Sequence, residues 1–269
     1  MRCFLIGFRW LIPIVLAIVT SSSTVSAQDA KVPEGQADLD AATALKLNAS
    51  SMADLERVIE LAESALEKGL NEQNEFFAKS LLTATLLQHG SRFAQPLLNP
   101  RERAQQPAML KKYALQDLYK ILKYDESSPE AYLLIARLEG VNVAPRDKET
   151  ALKKGIDAAD KAIALLGEDK PQLSKALLLR AGYETGNPEK RLELLEQAIA
   201  ADDSNADAWR LRGKTRLLQG EMLSATGELD KAKEVRSQAV EDFLKLLEAN
   251  PNDADALQSA AELLGRLGE

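Results

Sequence analysis

Chemistry in this chain has few candidates to draw on. One imidazole, His89, and one thiol, Cys3, occur in 269 residues. Two-Cys redox centres, structural zinc sites and intrachain disulfides each need at least one more such residue. No phosphate loop, Gly-x-Ser-x-Gly elbow or HExxH element is present. His89 lies beside Gly90 at an expected helix end, where it reads as a C-terminal helix charge or surface residue. Asp202 with Asp203, and Asp253 with Asp255, fall at expected helix starts, where carboxylates cap amides and favour the dipole. Arg210 and Lys214 stand one turn apart with Arg216 nearby, both expected exposed. Such a patch can hold a carboxylate or an acidic peptide segment; paired with neighbouring acids, it is a solvated helix face. No catalytic, cofactor-binding or metal-ligating residue is assigned, so an enzyme and a cofactor are not expected.

The balance of residue types restricts partners further. Charged residues make up 28%, hydrophobic 45% and aromatic 5%, with a formal net charge of −7 and a pI of about 5.1. An acidic chain has no basic excess to drive counterion release, which argues against nucleic acid as a partner. The first residues are read as a targeting segment rather than as fold. Met1 and Arg2 open it, Trp10 to Val19 is apolar, and Val25-Ser26-Ala27 supplies the small residues of a cleavage site before Gln28. Ten apolar residues are half of the roughly 20 that span a bilayer. The alternative is an N-terminal membrane anchor, which would bury Arg9 at about 3 kcal/mol. Cleavage removes Arg2, Arg9 and Cys3, leaving 32 bases against 41 acids and no thiol. A secreted or periplasmic chain without a stable membrane span is expected.

The elements are expected to be helices throughout. Apolar residues recur at three- and four-residue spacing, without strand-like alternation. Helices are predicted over 52–69, 73–89, 107–124, 129–139, 148–166, 172–184, 189–201, 205–223, 227–249 and 253–267. Ser51 with Asp54 caps the first; Gly69 and Gly90 read as stops, and Pro188 and Pro251 as connections.

Self-similarity organises these helices. Ala239–Asn250 (AVEDFLKLLEAN) aligns with Ala114–Asp125 (ALQDLYKILKYD), and each is followed by an Ala, a large residue and a small one: Ala131, Tyr132 and Ala136; Ala256, Leu257 and Ala261. The junction recurs with Ala176, Leu177 and Ala181, and with Ala208, Trp209 and Gly213. These residues resemble the tetratricopeptide repeat, a 34-residue pair of antiparallel helices. Trp209, Gly213 and Gly220 in helix A, then Ala239, Phe243 and Pro251, fit it best. Arg212, Arg216 and Leu246 depart from the pattern. The helix A alanines are 45, 32 and 48 residues apart rather than 34. The 14-residue addition between Gly220 and Ala239 is nearly four helical turns, so both helices can lengthen in phase, with Ser224-Ala-Thr-Gly227 as the displaced turn.

The resemblance implies an all-α, right-handed α-solenoid of antiparallel helix pairs, a TPR-like superhelix. Its parts are expected as a signal peptide (1–27), a polar leader (28–50), a degenerate N-terminal hairpin and connector (51–107), and repeats over 108–269, the last truncated after helix A. Leu257, Leu263, Leu264 and Leu267 are then expected uncovered. Packing is expected from Tyr132, Ala136, Leu177, Ala181, Trp209, Gly213, Ala239, Phe243, Pro251, Leu257 and Ala261. Groove positions in this family correspond here to Leu133, Arg137, Arg210, Lys214 and Gln258. The resemblance implies a non-enzymatic scaffold in the cell envelope binding protein or peptide segments, acidic ones included. The alternative is a noncatalytic arm of a larger enzyme, a glycosyltransferase or protease, with its catalytic domain beyond residue 269.

Overall fold

Caps and prolines set most helix ends. Ser51 and Asp54 form a reciprocal capping box, the Ser51 hydroxyl accepting from the Asp54 amide and the Asp54 carboxylate accepting from the Ser51 amide. Asn71, Ser128, Asp169, Asn187 and Asp253 each accept from an amide three residues on. Proline occupies the first turns of the helices starting at Pro107, Pro129, Lys170 and Pro188, where its missing N–H costs nothing.

The computed structural model describes residues 32–99, 101–102, 104–143 and 148–268. The signal segment expected before Gln28 lies outside these. Pro33–Glu269 forms one unit, with eleven helices and no strand among the described residues. They pair as α1 (Gln36–Lys46) with α2 (Met52–Lys68), α3 (Glu72–Leu98) with α4 (Pro107–Tyr124), and α5 (Pro129–Glu139) with α6 (Lys148–Leu166). Next come α7 (Lys170–Tyr183) with α8 (Pro188–Ala201), α9 (Ala206–Ala225) with α10 (Leu229–Ala249), and α11 (Ala254–Gly268). The pairs are antiparallel: Ser174 reaches the Ala198 carbonyl while Arg191 reaches back to that of Ala181. Each odd-numbered helix after α1 also packs on the even-numbered helix before it. One pair cannot bury both its faces, and stacking supplies the second cover. The fold is an all-α solenoid with tetratricopeptide-like pairing.

Two elements and one pairing differ from expectation: α3, expected to form a hairpin with α2 over 51–107, pairs with α4, and α2 pairs with α1. Gln36–Lys46, read as polar leader, is helix α1, its Leu39 and Ala42 buried against α2 and α3. Gly35 makes that contact possible, since a Cβ there would collide with the Ala65 carbonyl. Gly90 does not stop a helix: α3 runs on to Leu98. At Gly90 a Cβ would stand 3.2 Å from Asp117 Cβ and 3.3 Å from the Ala114 carbonyl oxygen, so the glycine serves close approach of α4.

The repeat positions mostly pack as the alignment implies. Ala136, Ala181 and Ala239 are fully buried, Leu177 and Phe243 nearly so. Tyr132 and Trp209 are half-buried, each bridging two neighbouring apolar clusters. At Gly213 a Cβ would come 3.0 Å from the Phe243 ring, so the small residue and the aromatic occupy one space. The α9–α10 pair is lengthened, at 20 and 21 residues against 14 each for α7 and α8, and Gly227 (φ +85°) makes the turn. At α11 the packing expected of Leu257 and Ala261 is not seen, whereas the exposure expected of Leu257 and Leu264 is. Ala256, Ala260 and Leu263 are buried against α10, while Leu257 and Ala261 are exposed. In α5, α7 and α9 the large-small pair lies against the following helix; the described residues place no such helix beside α11. Leu263 is covered and Leu267 half-covered, whereas Leu257 and Leu264 are about half exposed. Pro251 is an exposed turn residue, outside the core.

Candidate interaction cleft

Helix α5 has 11 residues and its neighbours α4 and α6 have 18 and 19. The shortfall opens a cleft of about 1520 Å³ along α4, past the C-terminal ends of α5 and α7 and the first turns of α6. Its lining mixes apolar and cationic side chains. Leu115, Val141, Leu152 and Leu179 contribute the first kind.

Two buried links hold its walls. Lys111, 8% exposed, directs its three ammonium hydrogens to Glu139 Oε2 (2.9 Å), the Glu139 carbonyl (3.4 Å) and the Val141 carbonyl (3.2 Å). It thereby satisfies the end of α5, where a cation is favoured by the helix dipole. The Tyr183 hydroxyl donates to the Ala136 carbonyl across from α7. Burial, then the nearby Glu139 charge, pushes that phenol up to about 12, so it stays a donor. Gly155 leaves room for this ring: a Cβ there would collide with the Tyr183 hydroxyl.

The cleft concentrates positive charge. Lys111 is paired with Glu139 and Lys120 with Glu63 at 2.6 Å. Lys112, Lys123, Arg137, Lys148 and Lys154 also line it, all exposed. None of these five has an ion pair within the described residues. Residues 101–154 carry 11 bases against 8 acids in a chain of net −7. That local reversal was the sequence signal for this cleft, and whole-chain charge conceals it.

The five groove residues read from the sequence are not brought together. Arg137 lines the cleft. Leu133 is half-buried against Ala162, Leu166 and Ala176, so its side chain serves the core. Arg210 is half-buried rather than exposed, its guanidinium donating to Asp253 at 2.9 Å. Lys214 and Gln258 are exposed on α9 and α11. Arg216 is bound to Asp242 at 2.8 Å, so Lys214 is left without its two basic neighbours as free charges.

Two inward-facing acids, one buried and one half-buried, escaped the sequence reading. Asp242 on α10 is 1% exposed and accepts from Arg212 at 2.6 Å and Arg216 at 2.8 Å. Arg212 also lies 4.7 Å over the Trp209 ring. On α4, Asp117 Oδ2 is 2.8 Å from Nδ1 of His89. His89 is thus a mid-helix, largely buried residue, packed edge-on to Phe93, and not a surface group at a helix end. Burial pushes the Asp117 carboxyl up, opposed by the His89 hydrogen bond. Asp117 and Asp242 hold the same place in the two aligned segments, each gripped by its own pair's first helix. The identity of those positions was visible; their inward orientation was not. Among the described residues no three His, Cys, Asp or Glu side chains are grouped for a metal ion, and no helix is long and apolar enough to cross a membrane.

No protein-family profile and no curated protein sequence matches the chain. Among solved structures it is similar to the crystal structure of MamA protein, at 19% identity and a TM-score of 0.47, over 82% of this chain and 94% of that one. It is similar to TTC0263, a thermophilic TPR protein in Thermus thermophilus, at 16% identity and TM-score 0.41, over 86% and 98% of the two chains. It is also similar to the human IFIT1 dimer with m7Gppp-AAAA, at 16% identity and TM-score 0.43, over 87% of this chain and 47% of that one.

Proposed function

We propose that this chain is a non-enzymatic repeat scaffold that captures segments of other proteins in the cell envelope. The observation that carries the reading is the cleft between α4 and α7. At about 1520 Å³ it exceeds the roughly 300–1,000 Å³ of small-molecule sites. It is open along α4 and offers apolar contact together with charged anchors, which suits an extended polypeptide. The envelope location rests on the Trp10–Val19 apolar run and the small residues before Gln28.

Gly182 allows a direct test. It lines the cleft, and a Cβ there would meet nothing within 4 Å. Gly182→Trp should therefore obstruct part of the cleft without disturbing the fold. Random peptide libraries selected on the wild-type chain should enrich binders, and Gly182→Trp should lose them while its helical circular dichroism is retained. Absence of enrichment, or enrichment indifferent to Gly182→Trp, refutes the proposal.

A further inference from the structure

The charges in the cleft say more than its size. We infer that the α4–α7 cleft selects an acidic protein segment bound in extended form, its carboxylates held by Lys112, Lys123, Arg137, Lys148 and Lys154; this rests on the scaffold reading above. These five cations are exposed and have no acid partner among the described residues, although acids outnumber bases in the chain. Cations left uncompensated in one place on an acidic protein focus a local positive potential.

Helical geometry sets the register. Lys112, Gln116, Tyr119 and Lys123 recur at steps of four, three and four on α4 and so share one face. Eleven residues at about 1.5 Å each put Lys112 and Lys123 about 16 Å apart along the axis. An extended chain covers that distance in about five residues. Lys148 and Lys154 come from the first two turns of α6, and Arg137 from the last turn of α5. Arg137 has the planar fork that takes a carboxylate by two hydrogen bonds. Leu115, Val141, Leu152 and Leu179 line the same space. A strand alternates its side chains with period two, so a segment alternating acidic and apolar residues satisfies both components.

A nucleic acid fits less well. Its charge repeats without apolar side chains between, and it extends beyond the cleft. Screening limits the reach of a charge to about 8–10 Å at physiological salt, so the rest of the strand would face a net-acidic protein. A short acidic segment stays within the positive region.

The test uses two immobilised libraries of end-capped nine-residue peptides, one with Glu and one with Gln at alternate positions, apolar residues between them. Oligouridylate of matched length serves as a third probe. Binding to the full chain is compared with binding to Lys112→Glu/Lys123→Glu, whose side chains are exposed. The Glu library should yield binders at least about tenfold tighter than the Gln library, weakened by added salt and by the double variant. Equal binding of both libraries, blocked by Gly182→Trp, overturns the charge inference and leaves the scaffold reading standing. Preferential binding of oligouridylate overturns it in favour of nucleic acid. Failure of both peptide libraries overturns both readings.

Discussion

Asp242 shows how much one residue can bind together. Its carboxylate is 1% exposed, and the two guanidiniums on it have side chains only 13% and 12% exposed. Asp242→Ala would leave Arg212 with no acid among the described residues and Arg216 with only the more distant Glu196 at 3.7 Å, at about 3–5 kcal/mol. Urea denaturation should show that loss, whereas Arg266→Ala, which breaks pairs at the surface, should cost under about 1 kcal/mol. Tyr183 gives a pH-dependent counterpart. Its folded value, raised to about 12, lies above the roughly 10 of a free phenol. The neutral form is therefore favoured by folding, and this contribution is complete below pH about 10 and lost as the pH rises towards 12. Tyr183→Phe should remove that part of the alkaline loss of stability, read from denaturation midpoints at a series of pH values. An unchanged profile would mean that the phenol does not couple to folding.

At the scale of elements, α11 distinguishes the side a helix buries from the apolar residues it carries. Its leucines occupy more than one face, and only that holding Ala256, Ala260 and Leu263 meets α10. Leu263→Ala should cost about 2–5 kcal/mol by leaving a cavity. Leu257→Glu with Leu264→Glu should change stability by under about 0.5 kcal/mol, because both are near half exposed. A reversed order of these effects in thermal melts would mean that α11 packs by another face. The same distinction explains α3: Gly90 has the residue type of a helix stop, but the close approach of α4 gives it a different role.

For the whole molecule, the charge is distributed rather than uniform. The acidic total sets the long-range field, while seven of the eleven bases between residues 101 and 154 line one cleft. Location is tested at this scale too. Mass spectrometry of protein recovered outside the cytoplasm should find Gln28 as the first residue. Recovery of the chain in membranes with Met1 to Ala27 retained would support the anchor instead.

Helices α2 to α11, the pairing from α5 onward and most of the small-against-large contacts were determined by sequence, because period 3.6, caps and an internal repeat are local or near-local properties; α1 and the pairing of α3 with α4 were not. Helices α5, α7 and α9 carry their alanines and glycines where the alignment places them, and Gly213 lies against Phe243 as the repeat implies. What tertiary structure alone decided is which charges remain free. Arg210 and Arg216, beside Lys214, read as an available patch, yet Asp253 and Asp242 reach the two arginines from 43 and 26 residues away. Lys112 and Lys154 look like ordinary surface lysines until a short α5 leaves α4 and α6 to frame one cleft. Ion pairing depends on separations of a few ångströms between distant segments. Residue type and helical spacing do not contain those separations; the packing of the stack creates them.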